Sequence, residues 1–275
     1  STFLKKFDSS KFTVTCYSEC IIDTSLYNQS LQFKFIKNTT AEQAAQMIHN
    51  DNIHILFDLA GHTAFNRLDV FAMKPCPIQI TYIGYPYSTG LNEMDYRITD
   101  NICDNEKVSQ AFYTEKLLFL KNCFLCYDPS RVEQGSKWKM PELEKLQPKL
   151  KNKFMTIGCF NRVNKITDNV IKMFNNILVR NPTVRFVFKT KALLNKHIKN
   201  NFIEKFDKQV RSRIEILDCT ILHEAHLLEY NHIDIAIDTF PYSGTTTSCE
   251  ALLMGVPVLS VYDTQYYFHA QNVTC

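Results

Sequence analysis

Short apolar runs alternate with amphipathic stretches along most of this chain. Residues 53–59 and 184–188 form runs that are short and rich in β-branched or aromatic side chains, which is typical of strands buried in a parallel sheet. Between such runs the apolar side chains recur at helical spacing, as they do over residues 192–206. Strands and helices that alternate in this way predict an α/β fold.

In the first part of the chain, a capping-box pair, Thr40 and Gln43, precedes a helix predicted over residues 41–48. A shorter helical stretch over residues 66–73 is halted near Pro75. The remaining apolar runs predict strands over residues 12–17, 31–36, 53–59, 78–83, 95–100, 113–120 and 123–127.

In the second part, Thr167 is the expected N-cap of an amphipathic helix that follows a strand over residues 154–160. Further helices are predicted over residues 192–206, 223–230 and 248–254. Further strands are predicted over residues 184–188, 214–217 and 233–237, and another apolar run covers residues 256–261.

Residues 128–153 interrupt this alternation, because they are rich in Lys, Glu, Pro and Ser and show little periodicity. We interpret them as an interdomain connection between a domain over residues 1–127 and a domain over residues 154–275. The pattern on both sides predicts two doubly wound α/β domains that face each other across a cleft. A ligand is expected at the carboxyl ends of their strands.

Composition narrows the classes of function. The chain has 275 residues and is 45% hydrophobic, and its formal net charge of +3 is accounted for by the seven basic and four acidic residues of the connection. The other charges cancel, so no nucleic-acid-binding face is predicted.

No apolar run approaches the roughly 20 residues of a membrane span, and the N-terminus lacks a signal peptide pattern. The ten cysteines include only single close pairs, which favours reduced thiols and a cytoplasmic or nuclear protein.

The segment Asp238-Thr-Phe-Pro-Tyr-Ser-Gly-Thr-Thr-Thr-Ser-Cys-Glu250 lies between an apolar run and a predicted helix. Strand, small-residue loop and helix form the arrangement in which free N–H groups and the positive end of a helix dipole face an anion. Gly244, Thr245, Thr246 and Thr247 would therefore suit a diphosphate. A helix cap with additional threonines fits the local chemistry equally well.

Residues 238–257 resemble the donor-binding segment of glycosyltransferase family 41, the O-GlcNAc transferase and SPINDLY family. A block upstream, from Gly61 to Asp100, is similar to the other lobe of the same family. The resemblance implies a GT-B fold of two Rossmann-like domains. It also implies inverting, metal-independent transfer of GlcNAc or fucose from a nucleotide-sugar donor to Ser or Thr hydroxyls of proteins.

Other donor-side residues follow from the same resemblance. Lys165 precedes a helix cap, where an ammonium can reach a bound phosphate, although lysines in such places are usually just exposed. The segment Phe160-Asn-Arg-Val-Asn-Lys-Ile166 is similar to the family segment whose lysine contacts the donor diphosphate, which favours Lys165 and places Asn161 beside the donor. His226 lies in a region that the family uses near the base or ribose, and Glu250 belongs to the donor-binding segment itself.

On the acceptor side, His62 ends a predicted central strand, and an imidazole is a side chain that can transfer a proton to or from a substrate hydroxyl. A satisfied, half-buried histidine is the plainer alternative. Gly61-His-Thr63 resembles SPINDLY and bacterial members, whereas animal members have Tyr at this His, so a place in the active-site wall is favoured over a universal base. The loop over residues 84–90 resembles the family loop at the sugar and acceptor side, and it contributes Tyr85, Pro86, Thr89 and Gly90.

The remaining motifs bear on two questions, whether a metal ion is needed and which nucleotide sugar is the donor. The chain has no Asp-x-Asp pair, and His223 with His226 is a weak metal pattern, so no metal is expected. Several segments, including residues 268–273, are more similar to SPINDLY, whose plant members use GDP-fucose; animal relatives use UDP-GlcNAc. Both ends of the chain depart from the family pattern, as in a truncated sequence. The alternative function is therefore a catalytically incomplete fragment or pseudoenzyme that retains nucleotide or protein binding.

Overall fold

Parallel pairing joins all neighbouring strands in the computed structural model, which describes residues 4, 7–20, 29–128, 154–220 and 222–261. The chain divides into two units, Ser1–Asp128 and Pro129–Cys275. Asp128 is the only residue of the expected connection over 128–153 that lies within the described residues, so the boundaries of that connection stay a prediction. The terminal segment over residues 268–273 also lies outside the described residues.

The first unit contains a two-stranded and a four-stranded sheet. Helix α1 (Ala41–Asn50) begins at the predicted capping box, in which the Thr40 hydroxyl accepts from Gln43 N–H and the Gln43 side chain accepts from Thr40 N–H. Helix α2 covers Leu68–Ala72. The strands are β1 (Thr15–Ser18) and β2 (Gln32–Phe35), which pair with each other, and β3 (Ile55–Asp58), β4 (Ile78–Thr81), β5 (Tyr96–Asp100) and β6 (Lys116–Leu120), which lie in that order.

One face of the four-stranded sheet is buried and holds polar side chains as well as apolar ones. Leu56 of β3 joins a core cluster with Ile48 of α1 and Phe71 of α2. Asp58 and Thr81 end adjacent strands on the same face, where the Thr81 hydroxyl donates to Asp58 Oδ2 at 2.8 Å. Asp58 also accepts from the N–H groups that follow it, so the carboxyl end of β3 turns sharply.

The second unit is a five-stranded sheet in the order β11-β10-β7-β8-β9. Because β8 and β9 lie on one side of β7, and β10 and β11 on the other, the winding direction reverses between β7 and β10. Ligands of doubly wound folds bind at such a switch point. The strands are β7 (Met155–Cys159), β8 (Val184–Phe188), β9 (Ile214–Ile216), β10 (Ile235–Ile237) and β11 (Val258–Leu259), and the helices are α3 (Asp168–Arg180), α4 (Lys196–Glu204), α5 (His223–Leu228) and α6 (Thr246–Leu253).

Aromatic side chains fill the core on one side of this sheet. Phe174 of α3 lies 5.0 Å, between ring centroids, from Phe186 of β8. Phe188 makes an edge contact with Phe202 of α4 at 4.9 Å. Thr167 caps α3 as predicted, since its side chain accepts from Val170 N–H. This packing holds the end of β7, where the site begins.

Two sequence-based assignments were wrong, and a third differs only in where its helix ends. The predicted helix over residues 192–206 is a 3₁₀ turn (Lys191–Leu194) followed by α4, because the Asn195 side chain accepts from His197 and Ile198 N–H and starts a new helix. The helix predicted over residues 223–230 ends at Leu228 and continues as a 3₁₀ turn. Residues 123–127 form no strand, since Phe124 N–H donates to the Asp100 carboxylate rather than to a neighbouring strand.

Candidate functional site

The loops that follow β7 and β10 meet at the switch point of the second unit. Asn161 lies just after β7, and its Nδ2 donates to Asp238 Oδ1, just after β10, at 3.0 Å. The Asn161 Oδ1 accepts from the Thr247 hydroxyl of α6 at 3.3 Å. We call the group formed by Asn161, Lys165 and residues 244–247 the cradle. The structure therefore brings together those predicted donor-side residues that follow β7 and β10, although the sequence places them far apart.

Asp238 shapes the loop that carries the threonines. It is buried, with 3% of its surface exposed, and its Oδ1 also accepts from Thr239 N–H at 2.8 Å and from Gly244 N–H at 2.6 Å. The Ser260 hydroxyl donates to Oδ2 at 3.2 Å. Sequence reasoning missed this role, although an acidic residue that directly follows a buried strand and precedes a small-residue loop is a signal for it.

Gly244 is needed at this position because neighbouring side chains lie too close to its Cα to leave room for a Cβ. A Cβ at this position would lie 2.6 Å from the Thr247 Oγ1, 2.8 Å from the Ser248 Oγ and 3.2 Å from the Asn161 Oδ1. Thr245 precedes α6, yet its side chain makes no capping hydrogen bond to the helix. The threonine-cap alternative is thus not what the structure contains. Thr246 is exposed and Thr245 and Thr247 are half-buried, so hydroxyls and the positive end of the helix remain accessible.

Lys165 ends a 3₁₀ turn beside the same loop. Its Nζ donates to the Ser243 carbonyl at 2.7 Å and lies 4.1 Å from the centroid of the Tyr242 ring. Burial lowers the pKa of this ammonium to about 8, and Asp238 opposes that change. The side chain therefore carries a partly desolvated positive charge at neutral pH, which is the state that binds an anion well.

A second cluster of the same unit contains the predicted residues His226 and Glu250. The His226 Nε2 lies 3.1 Å from Glu250 Oε2, and the Tyr230 hydroxyl lies 3.3 Å from the same oxygen. Lys189, which the sequence analysis did not identify, places its Nζ 3.1 Å from the His226 Nδ1. A lysine directly after a buried strand is the available signal, but lysines in such positions are usually exposed.

The predicted acceptor-side residues form a cluster in the first unit. His62 is exposed, its Nε2 lies 3.0 Å from the Thr89 carbonyl oxygen, and its ring meets the Tyr85 ring edge-on with centroids 5.2 Å apart. Gly61 has φ +52°, and a Cβ there would lie 2.4 Å from the Tyr85 Cβ. Glycine is therefore needed for both the turn and the close approach.

The other predicted residues of this side are placed less centrally. The Thr63 hydroxyl donates to the Ala60 carbonyl and closes a local turn. Pro86 is half-buried within the loop over residues 84–90, and Gly90 is exposed with φ +74°. His62 is thus the residue of this side that contacts both Tyr85 and Thr89, whereas Thr63 holds its own turn.

Two buried charged residues that sequence reasoning missed hold the loop over residues 84–90. Glu115 has no exposed surface and accepts from Thr89 N–H at 2.6 Å, from the Thr89 hydroxyl, and from the Ser88 hydroxyl at 2.8 Å. Arg97 is 1% exposed and donates to the Tyr87 carbonyl at 2.7 Å and the Tyr85 carbonyl at 3.0 Å. These two side chains therefore make five hydrogen bonds to the loop, and three of them hold its backbone, at Tyr85, Tyr87 and Thr89.

Three further properties concern only the described ranges. Within them, no three His, Cys, Asp or Glu side chains are grouped so that they could hold a metal ion. The cysteines of this part of the chain all have free thiols. None of its helices combines the length and the apolar composition that crossing a bilayer demands.

A family model and several known proteins match this chain. The model of Glycosyl transferase family 41 matches residues 3–140. A protein of Arabidopsis thaliana, named probable UDP-N-acetylglucosamine--peptide N-acetylglucosaminyltransferase SPINDLY, is 37% identical over 97% of this chain and 29% of its own length. A Caenorhabditis elegans UDP-N-acetylglucosamine--peptide N-acetylglucosaminyltransferase is 34% identical over 46% of this chain and 11% of its own length. This chain therefore spans less than a third of these relatives.

Solved structures give the same fold class. A mutant of the Thermobaculum terrenum O-GlcNAc transferase is similar with a TM-score of 0.81 and 28% identity, over 95% of this chain and 48% of that one. The Anabaena protein HepE, in complex with UDP and glucose, has a TM-score of 0.52 and 13% identity, over 88% of this chain and 80% of its own, and shows the fold alone. The predicted α/β fold of GT-B type is confirmed.

Proposed function

This chain belongs to glycosyl transferase family 41, and we propose that it transfers a sugar from a nucleotide-sugar donor to Ser or Thr hydroxyls of proteins. The observation that carries the proposal is the cradle, in which Lys165 and the start of α6 meet at a topological switch point. The names of the relatives describe transfer of N-acetylglucosamine to peptides, which supports the same class of reaction. The sugar is GlcNAc or fucose.

The donor diphosphate binds in the cradle. The N–H groups at the start of α6 donate to phosphate oxygens, and the hydroxyls of Thr245 and Thr246 add further donors. The Thr247 hydroxyl adds another when its hydrogen turns from Asn161 Oδ1 to the phosphate. Lys165 supplies the positive charge. Its ammonium exchanges the neutral Ser243 carbonyl for a phosphate oxygen, a stronger, charge-assisted hydrogen bond.

The same groups assist departure of the nucleotide. As the glycosidic bond breaks, negative charge develops on the leaving diphosphate, and prearranged donors stabilise that charge more in the transition state than in the ground state. Because Lys165 and the helix N–H groups supply this stabilisation, we propose transfer without a metal ion. A single displacement by the acceptor hydroxyl gives inversion at the sugar.

The cluster of His62, Tyr85 and Thr89 supplies the acceptor side of the reaction. The His62 Nε2 lies within hydrogen-bond distance of the Thr89 carbonyl, so Nε2 carries the proton in the neutral ring and Nδ1 retains its lone pair. That nitrogen is available to a substrate hydroxyl. His62 therefore has a secondary role in the wall of the site, and its replacement by Ala reduces turnover less than replacement of Lys165.

The experiment that tests the proposal is calorimetric titration of the purified chain with UDP and with GDP, without metal. Preference for GDP supports a fucosyl donor, and preference for UDP supports GlcNAc. Turnover of the matching labelled nucleotide sugar with protein acceptors is then compared between the parent and Lys165→Ala, which we expect to abolish it. Unchanged turnover in that variant contradicts the assigned site.

A chain that binds a nucleotide but does not turn over the nucleotide sugar is a different outcome. It supports the alternative in which this chain is a catalytically incomplete fragment that retains nucleotide binding. Failure of a folded sample to bind either nucleotide contradicts the transferase and favours an incomplete fragment or pseudoenzyme that retains protein binding.

A further inference from the structure

Lys189 is a buried ammonium that the proposed chemistry does not use. It lies directly after β8, and only 4% of its surface is exposed. Its Nζ lies 3.0 Å from the Thr220 hydroxyl and 3.1 Å from His226 Nδ1, while Glu229 Oε1 is 4.0 Å away. Burial lowers the pKa of Lys189, because a charged ammonium is less stable inside the protein than in water. Keeping this charge at a buried position therefore costs folding free energy.

The contact with Lys189 determines which nitrogen of His226 carries the proton. An ammonium only donates hydrogen bonds, so the Nδ1 that faces it at 3.1 Å must present its lone pair. The neutral ring then carries its hydrogen on Nε2, which donates to Glu250 Oε2 at 3.1 Å. Both ends of the ring are thus satisfied by the same tautomer.

The tautomer in turn orients Glu250. Its Oε2 accepts from His226 and faces the Tyr230 hydroxyl, whereas its Oε1 accepts no hydrogen bond from the residues that the structure describes. The imidazole is also flanked by aromatic rings, with centroid distances of 6.2 Å to Phe160 and 5.7 Å to Tyr230. A quarter of the His226 side chain remains exposed. A ligand can therefore meet the ring surface and a carboxylate oxygen, but neither ring nitrogen.

We propose that Lys189 is a positioning residue for the nucleoside half of the donor, acting by holding His226 in its Nε2-protonated neutral form and, through it, the Glu250 carboxylate. The inference rests on the proposed function and deepens it. The ligand chemistry that fits is a planar base, which packs on an imidazole ring, joined to hydroxyl groups, which donate to a carboxylate oxygen.

If Lys189 has this role, the phosphate half and the nucleoside half of the ligand are bound by different groups of residues. The cradle binds the phosphates through Lys165 and α6, and Lys189 contacts none of those groups. Inorganic pyrophosphate should therefore bind independently of Lys189, whereas UDP and GDP should depend on it. The difference between these probes distinguishes a positioning role from a general loss of structure.

The experiment compares the parent chain with Lys189→Met, which keeps the length of the side chain but removes its donors. In the parent, we expect the ¹⁵N–¹H NMR correlations of His226 to show the Nε2-protonated tautomer. In Lys189→Met we expect loss of that single tautomer and an about tenfold weaker affinity for the preferred nucleotide, because one fixed hydrogen-bond network is lost. Affinity for pyrophosphate should stay unchanged. Lys189→Arg, which still donates to Nδ1, should restore the tautomer.

Thr220→Val is the matched control, because it removes the other hydrogen-bond partner of Lys189 without touching His226, and it should leave the tautomer intact. An Nδ1-protonated His226 in the parent overturns the proposal, even if Lys189→Met fails to fold. Equal weakening of nucleotide and pyrophosphate binding in Lys189→Met also overturns it. If the parent binds neither probe, the proposed function fails, and the tautomer measurement still decides the role of Lys189.

Discussion

Asn161 donates to Asp238 across 3.0 Å, and this contact joins the ends of two neighbouring strands that are 77 residues apart in sequence. The two loops that leave these strands diverge at the switch point, so a polar pair between them holds the crevice in shape. The same Asp238 oxygen accepts from Gly244 N–H. One carboxylate therefore ties the β7 loop, the β10 loop and the start of α6 together.

Removal of that carboxylate should loosen the second unit. Asp238→Ala leaves Asn161 Nδ2 and the N–H groups of Thr239 and Gly244 without their acceptor. We expect it to lower the free energy of unfolding by at least about 3 kcal/mol, because each of these three stranded buried donors costs about 1 to 3 kcal/mol. Urea unfolding followed by circular dichroism measures this. Asp238→Asn keeps one acceptor oxygen and should lose about 1 kcal/mol. Equal stability of Asp238→Ala and the parent would show that the carboxylate does not organise the loops.

Gly244→Ala should damage the cradle more than the fold. The added methyl group would overlap the Thr247 and Ser248 hydroxyls, and the Thr247 hydroxyl would have to leave the position that we assign to a phosphate contact. We expect at least about tenfold weaker binding of the preferred nucleotide, equivalent to one lost charge-assisted hydrogen bond. Calorimetry measures the affinity. The control is Gly90→Ala, which strains a residue with φ +74° in the other unit but meets no atom within 4 Å, and should leave nucleotide affinity unchanged. A nucleotide affinity of Gly244→Ala equal to that of the parent would show that displacing these hydroxyls does not affect the bound nucleotide.

Much of the fold was predictable, because short buried strands and capped amphipathic helices leave local patterns. Thr40 and Thr167 mark the starts of α1 and α3 in the sequence, and the structure confirms both caps. Errors arose where one side chain overrode the pattern. Asn195 splits a continuous amphipathic stretch by capping a new helix, and Asp100 draws Phe124 N–H away from strand pairing.

The candidate site was predictable only in its loops. The glycine, threonine and lysine residues of the cradle lie in motifs, so local chemistry and resemblance both indicated them. Lys189, Arg97 and Glu115 were missed because hydrophobic patterning places charged residues at the surface. Each of them is buried by partners from distant parts of the chain, for example Glu115 by Thr89. No pattern in one sequence records such pairing.

Glu115 offers a test of the acceptor side alone. Glu115→Ala removes the acceptor of the Thr89 N–H and hydroxyl and frees the loop over residues 84–90. We expect turnover with a protein acceptor to fall about ten- to hundredfold, because a small displacement of positioning groups is costly to catalysis. Binding of UDP or GDP should stay as in the parent. The control is Glu106→Ala, an exposed residue of the same unit. A loss of nucleotide affinity that matches the loss of turnover would contradict a role confined to the acceptor side.

The pKa of Lys165 predicts opposite effects of pH on stability and on binding. Its folded-state pKa of about 8 lies below its ordinary value of 10.5, so between these values the unfolded chain binds more protons than the folded chain. The free energy of unfolding of the ligand-free protein should therefore rise with pH across that window, relative to Lys165→Met. Chemical denaturation of both proteins at several pH values measures the difference, and parallel curves would contradict the lowered pKa.

Nucleotide affinity should change in the other direction, because only the protonated ammonium pairs with a phosphate. If a bound diphosphate keeps Lys165 protonated, affinity for the preferred nucleotide should fall about tenfold between about pH 7 and about pH 9, as the free lysine loses its proton near its pKa of about 8. Calorimetric titrations of the parent and of Lys165→Met at both pH values separate this from proton loss by the nucleotide itself, which affects both proteins equally. If the nucleotide affinity of the parent changes with pH in the same way as that of Lys165→Met, this ammonium does not contact the diphosphate, even though it belongs to the cradle.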